Sequence, residues 1–74
     1  MEITVNGEIE EVVSPLSIQK YIENKGQDPE KVVVEYNGKI VKQKQWPAIE
    51  LQDGDKLEVL KFMGGGAYND RRLR

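Results

Sequence analysis

The stretch Val32-Val33-Val34-Glu35-Tyr36-Asn37-Gly38-Lys39-Ile40-Val41-Lys42 decides how this chain folds. Two apolar runs flank Asn37-Gly38, and Asn-Gly is the strongest short hairpin signal because both residues tolerate the positive φ of a two-residue turn. The same device stands near the N-terminus. Ile3 and Val5 alternate with Glu2, Thr4 and Asn6 in the period of a half-buried strand. Asn6-Gly7 then turns the chain, and Ile9 with Val12-Val13 reads as the returning strand. Nothing else matches at that spacing, so the hairpins are not units of a repeat. Two such turns in 74 residues predict one small, β-rich domain.

One helix separates the hairpins. Leu16, Ile18, Tyr21 and Ile22 fall on one helical stripe, with Gln19, Lys20, Glu23 and Lys25 elsewhere. Ser17 is a good N-cap, its hydroxyl able to satisfy an amide of the first turn; Ser14 followed by Pro15 is a competing start. Gly26 stops the helix in a left-handed conformation, and Pro29 prevents continuation. The expected length is about 8–10 residues. Beyond the second hairpin, Gln43 to Trp46 reads as a short helical turn ended by Pro47, and Trp46, Ile49 and Leu51 plug one end of the core. Asp53-Gly54-Asp55 is a turn, and Lys56 to Phe62 is the last strand. The order β-β-α-β-β-β makes an α+β fold, because a lone helix must bury its stripe on one face of a sheet. Setting the last strand beside the first gives a parallel contact in an otherwise antiparallel, mixed sheet. That is the ubiquitin-like β-grasp arrangement, here assigned to residues 1–63.

Composition narrows the chemistry. The chain has no cysteine and no histidine, so a disulfide framework, a thiolate nucleophile and the commonest general base are all excluded. A core this small supplies only about 3–5 kcal/mol. A non-enzymatic protein is expected, with no catalytic residue and no metal site. Asp53 and Asp55 flank a glycine turn without the spaced ligands of a calcium loop, and Tyr21 and Tyr36 read as core or core-edge. The net charge of −2 is uneven. Residues 67–74 hold Arg71, Arg72 and Arg74 against Asp70, a net +2, which leaves −4 on residues 1–66. An acidic body does not suit a phosphate backbone, so no nucleic acid is expected. No apolar run approaches the roughly 18 residues that cross a membrane. The charged start Met1-Glu2 does not resemble a signal peptide, so a cytoplasmic location is expected.

The ending carries the functional information. Leu60 to Met63 runs into Gly64-Gly65-Gly66. Three glycines after a strand suit a thin, extended peptide entering a narrow site, since only glycine permits such close backbone approach. A P-loop is excluded, because no Gly-Lys-Ser/Thr and no helix follow.

Taken in order, Val34 to Val41, Gln45-Trp46, Leu51-Gln52-Asp53-Gly54-Asp55 and Phe62-Met63-Gly64-Gly65-Gly66 resemble the ThiS family of sulfur carriers in thiamine biosynthesis, within the ThiS/MoaD ubiquitin-like group. The resemblance spans roughly residues 1–66. The related molybdopterin synthase small subunit usually carries Pro-rich residues before its Gly-Gly end, which this chain lacks. The resemblance implies a reactive terminus at Gly64, Gly65 and Gly66. The carboxylate at Gly66 would be adenylated by an E1-like, ThiF-like enzyme that uses ATP and Mg²⁺, then converted to a thiocarboxylate. Its sulfur would pass to a ThiG-like thiazole synthase. This chain itself would bind no cofactor. Ala67 to Arg74 depart from the pattern: while they are attached, Gly66 has no carboxylate to activate. They are a disordered segment removed by a protease, or an addition made for expression. Carriers for cysteine, methionine or molybdopterin-type pathways resemble the chain too, as does a β-grasp binding module whose glycines are only a linker.

In the last strand, Leu57 and Val59 share one face, and Glu58, Leu60 and Phe62 the other. With Leu57 toward the helix, Leu60 and Phe62 emerge beside Val33 on the open sheet face. Val33, Leu60, Phe62 and Met63 are therefore expected to dock partners, with acidic Glu58 and Asp55 steering the encounter.

Overall fold

The computed structural model describes residues 1–61. Four strands follow the sequence closely: β1 (Glu2–Val5), β2 (Glu8–Glu11), β3 (Val32–Tyr36) and β4 (Lys39–Val41). With β5 (Lys56–Lys61) they form one sheet in the order β2-β1-β5-β3-β4. β5 runs parallel to β1 and antiparallel to β3. The mixed β-grasp sheet is thus present, and α1 (Ile18–Asn24) covers one face of it. No helix among the described residues is long and apolar enough to cross a membrane.

Both Asn-Gly pairs turn as expected, with φ of 51° and 84° at Asn6 and Gly7, and 50° and 90° at Asn37 and Gly38. The first hairpin differs from expectation at its far end. β2 stops at Glu11, and Val12 and Val13 follow it, although Met1 and Val12 still exchange two backbone hydrogen bonds of 2.8 Å. The tight turn also sets the register Thr4↔Ile9 and Val5↔Glu8. Ile9 therefore inherits the outer face of Thr4 and stands 68% exposed.

The helix is seven residues long, shorter than its stripe suggested. Ser17 is the cap, its Oγ accepting the Lys20 N–H at 3.0 Å. An earlier start at Ser14-Pro15 is ruled out because the backbone there is committed elsewhere. Ile18 N–H donates to the Ile49 carbonyl, and Leu51 N–H to that of Leu16, which holds Ser17 extended opposite Glu50. At the other end, Gly26 at φ +72° lets its own N–H reach Glu23 O while Gln27 N–H reaches Ile22 O. Those are the paired bonds of a Schellman stop.

Gln43–Ala48 is a 3-10 helix that contains Pro47; the proline does not end it. Proline breaks an α-helix by removing an i→i−4 bond and crowding that carbonyl, and 3-10 turns make no such bond. Trp46 is 1% exposed and Leu51 2%, with Ile49 packed against them. With Ile3, Ile18, Tyr21, Ile22, Val34 and Leu57 they form the core between helix and sheet.

Candidate functional site

Of the functional residues expected from the sequence, Val33, Glu58 and Leu60 are described, and they lie on β3 and β5 on the sheet face opposite α1. Phe62, Met63, Gly64, Gly65 and Gly66, and the segment 67–74, lie outside the described residues. The strand that leads to them is placed. Alternation buries Leu57 at 1% exposure toward α1 and turns Glu58 and Leu60 outward. Val33 lies directly opposite Leu60 in the β3–β5 register, and Glu35 opposite Glu58. Val33 and Leu60 are therefore neighbours on the open face, Leu60 at 36% exposure and Val33 half-buried. Glu35 also pairs with Ile40, so Ile40, at 67% exposure, shares this face with Ile9. The open face thus carries Leu60 and Val33 side by side, Ile40 in line with the carboxylates of Glu35 and Glu58, and Ile9 in line with Thr4 and Lys56. Sequence reading found Leu60 and Val33 and missed Ile9 and Ile40. Register was the missing signal: the two-residue turns fix it and could have been counted through.

The acidic residues divide. Glu58 is exposed, two residues before Leu60 on the same face. Asp55 sits at the start of β5, the end away from Lys61, and is occupied. Its Oδ2 accepts the Tyr36 hydroxyl at 2.9 Å and the Gln52 N–H at 2.7 Å, and its Oδ1 accepts Asn37 Nδ2 at 3.1 Å. Asp53 accepts the Glu2 N–H at 2.8 Å. The Asp-Gly-Asp turn is a hydrogen-bonded junction tying β1, β3 and β5 together.

The asparagines of both hairpins reach β5 as well. At its start, Asn37 N–H donates to Lys56 O and Asn37 Oδ1 accepts Lys56 N–H, both at 2.8 Å. Near its end, Asn6 Oδ1 accepts Val59 N–H at 2.8 Å and Nδ2 donates to Val59 O at 3.3 Å. The turn chemistry was legible in the sequence; these long-range bonds were not.

The tyrosines carry no acid–base role. Tyr21 donates to Glu10 at 3.0 Å, and burial, with that acceptor and its charge, raises its pKa well above the ordinary phenol range. Tyr36 is raised by burial and then by Asp55. Both stay neutral donors at physiological pH. Lys25 closes the first cluster, 3.2 Å from Glu10 and over the Tyr21 ring. Among the described residues, no three His, Cys, Asp or Glu side chains gather as metal ligands would.

Comparison with known proteins agrees with this geometry. The model of the ThiS family matches residues 3–66. The crystal structure of the thiamine biosynthesis protein ThiS from Geobacter metallireducens superposes with a TM-score of 0.77 at 36% identity, covering 89% of this chain and all of that one. The thiazole synthase of Paramagnetospirillum magneticum is 34% identical over 67 residues, and that of Magnetococcus marinus 35% over 68. Those regions cover 90% and 92% of this chain, which spans only 21% of the length of either relative.

Proposed function

The chain belongs to the ThiS family of ubiquitin-like sulfur carriers, and we propose that it serves thiamine biosynthesis by carrying sulfur as a thiocarboxylate on Gly66. The observation that carries this reading is the coincidence of a β-grasp body with a glycine run that begins three residues after Lys61 in the sequence, inside a family match that ends at Gly66. In the proposed cycle an E1-like activating enzyme, with ATP and Mg²⁺, joins the Gly66 carboxylate to AMP and releases pyrophosphate. AMP is a far better leaving group than oxide. Hydrosulfide from the sulfur donor then attacks the acyl carbon and expels AMP, leaving the thiocarboxylate. A thiazole synthase takes the sulfur; the support for that partner is that two proteins of that name contain a region similar to this chain. The carrier is a cytoplasmic substrate, and its partners supply the catalytic groups and the bound nucleotide.

Two features of the chain shape this reading. Val33 and Leu60 on the open face, together with Phe62 and Met63 further along the sequence, dock the activating enzyme and the thiazole synthase in turn, because one terminus visits one active site at a time. Glu58 affects the rate of encounter more than its strength. Ala67 to Arg74 must be removed first, since an amide at Gly66 offers no carboxylate. A second reading, supported by that same extension, is a protease-matured carrier that feeds another sulfur pathway.

Intact-mass spectrometry tests the proposal. A protein ending at Gly66, incubated with activating enzyme, ATP and sulfur donor, should gain the mass of one oxygen-to-sulfur exchange. The 74-residue protein and a Gly66→Pro variant should not, proline adding bulk and fixing φ where the terminus must thread. Conversion of the uncleaved chain would refute it.

A further inference from the structure

β1 cannot accompany β5 to its end. The last backbone bond between them runs from Asn6 N–H to Leu57 O, at 2.9 Å, and the chain then turns away through Gly7 into β2. From Val59 onward the β1-side edge of β5 would be bare. The Asn6 side chain fills the next rung by accepting Val59 N–H and donating to Val59 O, at 2.8 and 3.3 Å. Past that rung the edge opens onto a groove of about 560 Å³ between the β1–β2 turn and the end of α1, with Glu8, Tyr21, Lys25 and Lys61 in its walls. Among the described residues, only β3 still holds the strand there, through the Val32↔Lys61 pair. Asn6 is suited to this work by two properties together. It tolerates the φ of 51° that the turn imposes, and its carboxamide offers one acceptor and two donors. Aspartate supplies only the acceptor, and glycine supplies neither.

We propose that Asn6 is a positioning residue: its carboxamide clasp on Val59 holds the second edge of β5 at the point where β1 leaves it, and so fixes the root from which the chain runs on toward Gly66. This rests on the sulfur-carrier reading above. Gly66 is the fifth residue after Lys61, so the two are at most about 18 Å apart along the chain. Without the clasp, Glu58 to Lys61 are held, among the described residues, by β3 alone, and the direction in which β5 leaves the sheet is less firmly set. Misplacement of that kind lowers the rate of the chemical step while leaving docking intact.

The experiment uses Asn6→Gly and Asn6→Asp in the protein ending at Gly66. Asn6→Gly preserves the turn and removes both bonds; Asn6→Asp keeps the bond to Val59 N–H. Amide exchange at Val59 should quicken about tenfold in Asn6→Gly, with exchange at Ile3 and Val34 far less affected. For adenylation by the activating enzyme, kcat should fall about tenfold and KM stay within about twofold, because Val33 and Leu60 are untouched. Asn6→Asp should fall between parent and Asn6→Gly in both measurements, and it decides the matter if Asn6→Gly does not fold. Unchanged exchange at Val59 overturns the clasp. Faster exchange with parental kcat and KM reduces the clasp to a structural bond and overturns the positioning role. A parent protein that is itself not adenylated overturns the sulfur-carrier reading, and this one with it, which separates the two failures.

Discussion

Replacing Leu60 by aspartate should separate folding from docking. Leu60 stands on the open face, 36% exposed, directly opposite Val33. Burying a leucine completely is worth about 1.5–3 kcal/mol, so losing the part still covered costs roughly 1–2 kcal/mol. The new carboxylate lies one alternation from Glu58 and diagonal to Glu35, and this like-charge contact adds a few tenths of a kcal/mol in water. The domain should therefore stay folded, with Tm lowered by roughly 5–15 °C. In the docked state the same carboxylate is pressed, unpaired, against an apolar partner surface. A cost of about 3 kcal/mol there weakens binding about a hundredfold. Circular dichroism melts give the first quantity, and titration calorimetry against the activating enzyme gives the second. Leu60→Ala should fall between, at about tenfold in affinity. A folded Leu60→Asp protein that binds with the parent's affinity would refute the docking face. An unfolded one would make Leu60 a core residue.

Two further outcomes follow from the junction at the start of β5 and from the buried phenols. Asp55→Ala removes the acceptor of three hydrogen bonds at once and should destabilise the protein by about 2–3 kcal/mol in urea unfolding; a loss under about 0.5 kcal/mol would show that water replaces the carboxylate without cost. The pKa values of Tyr21 and Tyr36 are raised in the folded protein. Tyrosines of the unfolded chain ionise near pH 10, so the unfolded state loses protons first. Stability should thus be level in this respect below about pH 10 and fall above it, and Tyr21→Phe should flatten part of that fall in melts run across the alkaline range.

Much of this protein is written locally. The Asn-Gly pairs require positive φ whatever surrounds them, Ser17 can cap a helix with its own hydroxyl, and Gly26 can take the left-handed stop that a side chain resists. Those signals act within a few residues, so the sequence by itself determined the hairpins, the helix, the order of elements and, with the rule that a lone helix covers one sheet face, the β-grasp. The glycine run and the apolar phase of Val33 and Leu60 were legible for the same reason.

What only the tertiary structure decided depends on contacts far apart in the chain. Ile9 looks inward by hydrophobicity but stands outward, because a tight turn counts its register from Thr4. Pro47 looks like a terminator but sits inside a helix that makes no i→i−4 bond. The helix begins at Ile18, later than Pro15 would allow, because residues 49–51 hold the preceding backbone. Asn6 and Asn37 read as turn formers, yet their carboxamides bond to a strand that ends the domain, and Asp55 gathers a tyrosine, an asparagine and a backbone amide. A side chain's local conformation is fixed by its own φ and its neighbours; its hydrogen-bond partners are fixed by whichever strand the folded sheet brings alongside, and that is settled only when distant segments pack.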